Sequence, residues 1–243
     1  MSASGLSVFV LAKDAEVDLR ECLETMRPVS DEFVVVVDAA SRDGTADVAR
    51  VFTDKVFVRP FDGFSRMKQF ALTRCSRVWA MNVDTDERPD GALLAELDRA
   101  RRSDDPSVAG YAVNRLPFFL GSPIRHGGWY PDWVIRLVRP TRAVYPDRPV
   151  HERLEVDGPV SRLAGHLLHY TVRNWPDFLR KQRRFAGLSP VRPSFWSRWT
   201  HPPAAFLKSS VLKLGILDGW RGLAVAYAQA YYAYHKYGPR RPA

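Results

Sequence analysis

The run EFVVVVD at residues 32–38 is the strongest fold signal in the chain. Its uninterrupted apolar residues, ended by the acid Asp38, are typical of a strand that is buried on both faces of a parallel sheet. Comparable runs occur at Leu6–Leu11, Val56–Arg59 and Val78–Val83. We therefore expect these four segments to be strands of one sheet.

Segments with helical periodicity separate these apolar runs. We expect helices at Glu16–Met26, from the turn Ser41–Thr45 to Phe52, at Ser65–Arg74 and at Gly91–Arg102. Strand and helix alternate, which predicts an α/β fold with a mainly parallel central sheet and helices on both faces. Ligands of such sheets bind beyond the carboxyl ends of the strands, where Asp38 and Asp84 lie.

The second half of the chain has a different pattern. Residues 110–155 predict a less regular, aromatic-rich β region, and residues from Trp175 onward predict helices, with a loop or hinge at Pro190–Pro203. We expect a first domain at 1–170, with halves near 1–103 and 104–170. A basic, aromatic-rich helical appendage would then occupy 171–243.

Charge is concentrated in that appendage. The chain has a net charge of +9, and residues 171–243 contain 13 Lys and Arg against 2 Asp and Glu. Basic side chains interleaved with Trp and Tyr favour the surface of an anionic membrane. Packing of an aromatic stripe on the first domain explains part of the same pattern. Nucleic acid is the alternative partner, but no helix-turn-helix, zinc or RNP-type motif accompanies the charge.

The expected location is cytoplasmic and peripheral to a membrane. No apolar run reaches the roughly 18 residues that a spanning helix needs. Residues 1–5 contain no basic residue, so no signal peptide is expected. Cys22 and Cys75 lie far apart and show no metal-ligand spacing, which predicts neither a disulfide framework nor a zinc site.

An acid cluster, Asp84-Thr-Asp-Glu87, directly follows the last of the four predicted strands. Alternate carboxylates at a strand end can point the same way, and their hard oxygens suit Mg²⁺ or Mn²⁺ bridging a diphosphate. The alternative interpretation is a solvated turn whose acids cap the next helix.

Ordered blocks along the chain carry a family resemblance: LSVFVLAKDAE (6–16), EFVVVVDAASRDGT (32–45), GFSRMKQFAL (63–72) and WAMNVDTDE (79–87). They resemble the inverting family 2 glycosyltransferases with the Rossmann-like GT-A fold. Further motifs at 125–139, 150–152, 167–170 and 217–222 resemble the subgroup that includes lipopolysaccharide core β-1,4-glucosyltransferases. The resemblance covers nearly the whole chain and makes residues 1–103 the donor half and 104–170 the acceptor half.

The resemblance implies a set of donor-binding residues: Leu11, Asp14, Asp38, Asp43, Lys68 and Asp84. It also implies metal contacts from Asp84, Asp86 and His151. The sequence departs from the family at Asp14-Ala15, where Asn-Glu is usual, and this departure bears on base recognition. The alternatives are that Asp38 only caps the turn to Ser41 and that Lys68 is a solvated helix position.

Inversion requires a general base that deprotonates the acceptor hydroxyl. The candidates are Asp132, in an aromatic segment that would raise its basicity, and Glu152. His151 and His169 are expected either to contact the diphosphate or metal or to be hydrogen-bonded core residues. Arg125, Arg136 and Arg139 fit acceptor phosphates. An exposed strand face is the alternative for Arg136 and Arg139, which alternate with apolar residues of Val134–Val138.

The sequence thus predicts a metal-dependent inverting glycosyltransferase. It would move a hexose to a lipid-linked saccharide, such as lipopolysaccharide core or another cell-surface glycan, at the cytoplasmic face of the inner or plasma membrane. The resemblance implies inversion and UDP-glucose as the donor. The alternatives are a catalytically silent nucleotide-sugar-binding relative, suggested by Asp14-Ala15, and a nucleic-acid-binding protein.

Overall fold

The computed structural model describes residues 3–103, 105–147, 154–189, 191 and 194–238. The predicted His151 and Glu152 lie outside these residues. The chain forms two compact units, Met1–Arg115 with Trp133–His169 and Leu116–Asp132 with Tyr170–Ala243. The second unit therefore contains residues 116–132 as well as the helical region that the sequence predicts.

The strands and helices follow the predicted alternation. The strands are β1 (Ala3–Ala12), β2 (Glu32–Asp38), β3 (Val56–Arg59), β4 (Arg77–Asn82), β5 (Glu87–Pro89), β6 (Gly110–Phe119), β7 (Ser122–Pro123), β8 (Asp132–Val138), β9 (Ala143–Val144), β10 (Glu155–Val156) and β11 (Val160–Val172). The helices of the first unit are α1 (Glu16–Met26), α2 (Thr45–Phe52), α3 (Phe64–Arg74) and α4 (Gly91–Ser103). Those of the second unit are α5 (Trp175–Gly187), α6 (Phe195–Leu207) and α7 (Gly219–Lys236).

The central sheet has the strand order β3-β2-β1-β4-β8-β6-β11-β5. Strand β1 pairs in parallel with β2 and β4, and β2 pairs in parallel with β3. Strands β8 and β5 pair antiparallel, with β4 and β11 respectively. The predicted α/β class with a mainly parallel central sheet is confirmed.

The valines of β2 show why this run forms a central strand. Val35 and Val37 pack in one core cluster with buried residues of α1, α2 and α4. Val34 and Val36 pack in a second cluster with residues of α3. Because alternate side chains point to opposite faces, an unbroken apolar run buries both faces of the sheet. The prediction of helices on both faces is confirmed.

The second unit corrects one prediction. The expected loop or hinge at Pro190–Pro203 is wrong for residues 195–203, which belong to α6. Ser194 caps the helix by accepting a hydrogen bond from the amide of Ser197, and the Trp199 ring lies 5.6 Å from that of Tyr234 on α7. Packing and capping therefore outweigh the prolines. Within the described ranges, no helix is both long and apolar enough to cross a membrane.

Candidate functional site

The acid cluster lies in a tight turn between β4 and β5 of the first unit. The amide of Glu87 donates to the Asp84 carbonyl at 2.9 Å, and the amide of Asp84 donates back to the Glu87 carboxylate at 3.0 Å. The amide of Val83 donates to the Phe9 carbonyl of β1 at 3.1 Å. The turn is thereby fixed at the carboxyl ends of neighbouring parallel strands, where sequence reasoning expected a ligand site.

Arg136 is the centre of the charge network around this turn. Its guanidinium donates to Asn82 at 2.6 Å, to Asp84 at 2.7 Å and to Glu87 at 2.5 Å. The residue is 6% exposed and Glu87 is fully buried. The alternative that Arg136 lies on an exposed strand face is therefore wrong, and its planar fork instead holds two carboxylates and an amide.

The network keeps the Asp84 carboxyl ionised. Burial alone would raise the pKa of Asp84, but Arg136 and Lys68 hold it well below its ordinary value. Lys68, which lies on α3 and is 5% exposed, places its Nζ atom 3.5 Å from Asp84. The alternative of a solvated helix position for Lys68 is therefore wrong. Burial also tends to lower the pKa of Arg136, but Asp84 and Glu87 raise it above its ordinary value.

A cavity of about 450 Å³ opens beside this network. Among the described residues its charged lining consists of Lys68, Arg115, Arg136 and Asp84, and the aromatic side chains of Trp133 and Tyr145 form part of the wall. Among the described lining residues three cations face one carboxylate, and the buried Glu87 behind them pairs with Arg136 and Arg115, so the described part of the lining has an excess of positive charge. Such a lining suits a group with several negative charges, such as a diphosphate.

Asp86 and His169 form a second pair in the same turn region. The His169 Nε2 atom lies 3.3 Å from the Asp86 carboxylate, because His169 is opposite Glu87 in the β11–β5 pairing. Burial acts to raise the pKa of Asp86, but the hydrogen bond and charge of His169 lower it. The sequence allows His169 either to contact the diphosphate or metal or to be a hydrogen-bonded core residue. In the structure its partner is the Asp86 carboxylate.

A divalent cation fits these residues by their chemistry. The part of the chain that the structure describes contains no group of three or more His, Cys, Asp and Glu arranged to hold a metal. Mg²⁺, however, is commonly bound by one or two carboxylates together with water and substrate phosphates. Asp86 is ionised and partly exposed, and His169 beside it supplies a nitrogen ligand that Mn²⁺ also accepts.

The predicted donor residues of the first two strand ends also lie together, but their carboxylates make loop contacts. Asp14 has a positive φ of 45° and accepts from the Arg42 amide at 2.7 Å. Asp38 pairs with Lys13 at 2.7 Å and accepts from the Ala40 amide at 2.9 Å. The turn-capping alternative for Asp38 thus describes part of its role.

Asp43 and Leu11 complete the predicted donor set. Asp43 accepts from the amides of Glu16 and Thr45 at 3.0 and 3.1 Å, so it joins the starts of α1 and α2. Leu11 is half-buried near the end of β1 and packs against the second core cluster. Donor binding by these residues stays a prediction.

The two general-base candidates are Asp132 and Glu152. Asp132 is the half-buried first residue of β8 and belongs to the second unit. Glu152, like the predicted metal ligand His151, lies outside the described residues. Both base assignments stay predictions.

The other two candidate arginines, Arg139 and Arg125, make different contacts. Arg139 lies 4.5 Å from the Trp79 ring centroid and donates to the carbonyls of Val108 and Asp105, so it is a packing residue. Arg125, in the second unit, lies 5.9 Å from the Tyr130 ring centroid.

Sequence reasoning did not single out Arg115 or Asn82. Arg115 lies 3.5 Å from Glu87 and lines the cavity. Asn82 was detectable, because it is a polar residue inside the apolar run WAMNV and a buried amide requires a partner. Arg115 had no comparable signal, because a charged residue among the mixed polar and apolar residues of β6 is ordinary for a partly buried strand.

Comparison with known proteins identifies the family. No family model matches the chain. LpsC of Rhizobium meliloti (strain 1021), a lipopolysaccharide core biosynthesis glycosyltransferase, is 30% identical over 222 residues, which cover 84% of this chain and 79% of the relative.

Two solved structures are similar in chain path. Mannosyltransferase PcManGT from Pyrobaculum calidifontis, in complex with GDP-Man and Mn²⁺, matches with a TM-score of 0.48 and 13% identity over 93% of this chain and 74% of that one. S. aureus TarS 1-349 in complex with UDP-GlcNAc matches with a TM-score of 0.49 and 15% identity over 95% and 89%. On the sequence identity to LpsC, which extends over most of both chains, this chain belongs to the glycosyltransferase family that includes LpsC.

Proposed function

We propose that the protein is a metal-dependent inverting glycosyltransferase that transfers a hexose, glucose from UDP-glucose, to a lipid-linked saccharide such as lipopolysaccharide core. The observation that carries the proposal is the positively charged cavity beside Asp84, with Asp86 and His169 in the same turn region. The role of LpsC in lipopolysaccharide core biosynthesis supports the acceptor. The basic second unit supports an anionic membrane surface, at the cytoplasmic face of the inner membrane, as the place of reaction.

The metal would be held by Asp86 and His169, with Asp84 beside them and His151 as a further predicted ligand. When bound there, Mg²⁺ or Mn²⁺ would neutralise charge on the diphosphate of the donor. Asp84 is already held by Arg136 and Lys68. We therefore assign two roles to Asp84: it orients these two cations, and it contacts the metal and the ribose of the donor.

The cations of the cavity stabilise the leaving nucleoside diphosphate. Arg136 is fixed by three acceptors before any substrate binds, so its charge needs little rearrangement during the reaction. Lys68 and Arg115 line the same cavity and add two further charges. Fixed cations of this kind favour the state in which negative charge moves onto the departing phosphate.

The acceptor hydroxyl is deprotonated by Asp132 or Glu152 for attack opposite the leaving diphosphate. Transfer by the Asp132→Asn variant separates the two candidates. We expect it to retain UDP binding and to lose transfer. Loss of transfer in Glu152→Gln alone would move the assignment to Glu152.

Calorimetric titration of UDP, and then of GDP, tests the donor site of the full chain. We expect UDP binding in the presence of Mn²⁺, weaker binding with EDTA and none in Asp84→Ala. Asp47→Ala, which removes an exposed acid of α2, is the matched control and should bind as the wild type does. Absence of nucleotide binding under every condition would instead favour the catalytically silent relative.

A further inference from the structure

The segment from the last residue of α6 to shortly before α7, residues 207–217, exposes an unusual number of large aliphatic side chains. We call this segment the apolar loop. Six of its side chains are between 52% and 78% exposed: Leu207, Val211, Leu212, Leu214, Ile216 and Leu217. Clustered exposed apolar side chains on a water-soluble surface mark a site of interaction.

The backbone of the apolar loop is held in place by buried polar contacts. Ser209 is fully buried, and its hydroxyl donates to the Gly127 carbonyl at 3.0 Å. The amide of Gly127 donates to the Lys213 carbonyl at 2.8 Å. A Cβ atom on Gly215 would lie 2.6 Å from the Ser209 carbonyl oxygen, so this close approach requires glycine.

The end of the loop is anchored in the same way. The Asp218 carboxylate accepts from the amides of Arg125 and His126 at 3.0 and 2.8 Å, and it contacts the His126 ring at 2.9 Å. The backbone is therefore fixed on both sides while the aliphatic side chains face solvent. Their exposure is a property of the folded structure rather than of a loose segment.

Three lysines line a cavity next to this loop. Lys208 and Lys213 of the loop and Lys236 of α7 contribute to a cavity of about 500 Å³, with Gln182, Gln229 and Tyr232 among its other lining residues. Within the described part of the chain, no carboxylate lines the cavity and none forms an ion pair with these lysines. The cavity, which we call the lysine cavity, thus has a positive charge that no described carboxylate neutralises.

The binding partner must match both the aliphatic side chains of the apolar loop and the cations of the lysine cavity. Nucleic acid would match the lysines but offers no partner for six aliphatic side chains. A second copy of the chain would bring one lysine cavity towards another. An anionic lipid supplies both a phosphate and hydrocarbon in one molecule.

We propose that the apolar loop inserts among lipid acyl chains and that the lysine cavity binds the phosphate of an anionic lipid headgroup. The inference deepens the proposed function and rests on it, since it names the site through which the enzyme reaches a lipid-linked acceptor. The membrane contact is thereby assigned to residues 207–217 and the adjoining lysines.

Sedimentation of the full chain with vesicles tests the apolar loop. Vesicles of phosphatidylcholine alone are compared with vesicles that also contain phosphatidylglycerol. The triple variant Leu212→Ser, Ile216→Ser, Leu217→Ser should bind the anionic vesicles at least about tenfold more weakly than the wild type, because insertion scales with apolar area. The matched control is Val17→Ser, Val51→Ser, Val58→Ser, which removes exposed valines of the first unit and should bind normally.

A second triple variant tests the lysine cavity. Lys208→Gln, Lys213→Gln, Lys236→Gln should lose the preference for anionic vesicles. The control Lys181→Gln, Arg183→Gln, Arg184→Gln removes three positive charges from exposed positions of α5. It should keep most of the preference for anionic vesicles. Equal loss in both charge variants would mean diffuse attraction and would overturn the headgroup site. Inorganic phosphate that competes as well as lipid would assign the cavity to free phosphate instead.

Two further measurements separate this inference from the proposed function. The loop variant should keep UDP binding and transfer to a deacylated, water-soluble acceptor, and lose transfer to acceptor in vesicles. A wild type that transfers sugar but does not bind vesicles overturns the inference alone. A wild type that binds vesicles through the loop but neither binds UDP nor transfers sugar overturns the proposed function alone. A dimer that the loop variant abolishes would make a second copy the occupant and overturn the lipid assignment.

Discussion

The two units use cations in opposite ways. In the first unit Arg136 is buried and holds Asp84 and Glu87 at hydrogen-bonding distance. In the second unit Lys208 and Lys213 are exposed and have no carboxylate partner among the described residues. A cation that is fixed before binding can stabilise one charge distribution, whereas an exposed lysine adapts to a mobile anionic surface.

The difference also has an energetic side. Burying Arg136 requires desolvation of the guanidinium, and this cost is offset only while both carboxylates remain in place. The exposed lysines stay hydrated until a ligand arrives, so they add little to folding. Substitution of the buried Arg136 should therefore affect stability and chemistry together, whereas substitution of the exposed Lys208 or Lys213 should affect binding alone.

The largest expected effect comes from Arg136→Met. The substitution leaves the carboxylates of Asp84 and Glu87 without their main partner, so we expect the free energy of unfolding to fall by about 3 to 5 kcal/mol. Transfer should fall below detection. Chemical denaturation followed by circular dichroism measures the first effect, and a transfer assay measures the second.

Arg139→Met is the matched control from the same segment. Its guanidinium packs on Trp79 and bonds backbone carbonyls, so we expect a loss of about 1 kcal/mol and active enzyme. Equal destabilisation by the two variants would show that Arg136 is held no more tightly than a packing arginine, and the comparison between the units would fail.

Asp86→Ala should affect chemistry without a comparable loss of stability. The side chain is partly exposed, and its partner His169 is not left as a buried charge. We expect transfer to fall by at least about 100-fold, the size typical of removing one group that stabilises the transition state. Asp62→Ala, an exposed acid paired with Arg59, is the control. Normal, metal-dependent transfer by Asp86→Ala would remove Asp86 from the site.

The sheet was predictable because burial on both faces leaves a strong signal in β2. Mostly apolar runs predicted β1 to β4 with approximate bounds, and the acids at the strand ends indicated the ligand-binding edge. The residues that join these acids were harder to recognise. Arg136 alternates with apolar residues, and only the pairing of β8 with β4 shows that its side chain lies beside Asp84.

The second unit was less predictable for a different reason. The prolines near residue 202 indicated a loop, but capping by Ser194 and packing on α7 produced α6. In the sequence, the aromatic residues of this unit were the basis for predicting membrane association. The structure shows that aliphatic side chains of 207–217 are exposed as well. Exposure depends on contacts with Gly127 and Arg125, which are distant in sequence, and no local pattern reports it.

Vesicle binding by the lysine cavity and UDP binding beside Arg136 should differ in their dependence on salt. Raising the ionic strength from about 0.1 M to about 1 M shortens the Debye length from about 10 Å to about 3 Å. We expect vesicle binding to weaken by about tenfold, because the lysines are exposed. UDP binding to the partly buried cavity should weaken by a smaller factor. Calorimetry and vesicle sedimentation on the same preparation measure both, and equal salt dependence would contradict the assignment.

The smallest expected effect concerns Glu32, which tests whether ion pairs stabilise the first unit outside the candidate site as well. Glu32 accepts hydrogen bonds from Ser7 and Ser76 and pairs with Lys55. Burial opposes ionisation, but these partners lower the pKa of Glu32 from 4.5 to about 2. Because the folded pKa lies below the unfolded one, the stabilisation is present above pH 4.5 and is lost as the pH falls towards 2.

Glu32→Gln should therefore lower the free energy of unfolding by about 1 kcal/mol at neutral pH, after allowance for solvent screening. The difference from the wild type should shrink as the pH falls towards 2, because protonation of Glu32 in the folded chain begins in that range. Urea denaturation at both pH values measures it, with the exposed Asp47→Asn as the control. A difference that stays constant with pH would mean that shape and hydrogen bonding, rather than the charge of Glu32, stabilise this part of the first unit.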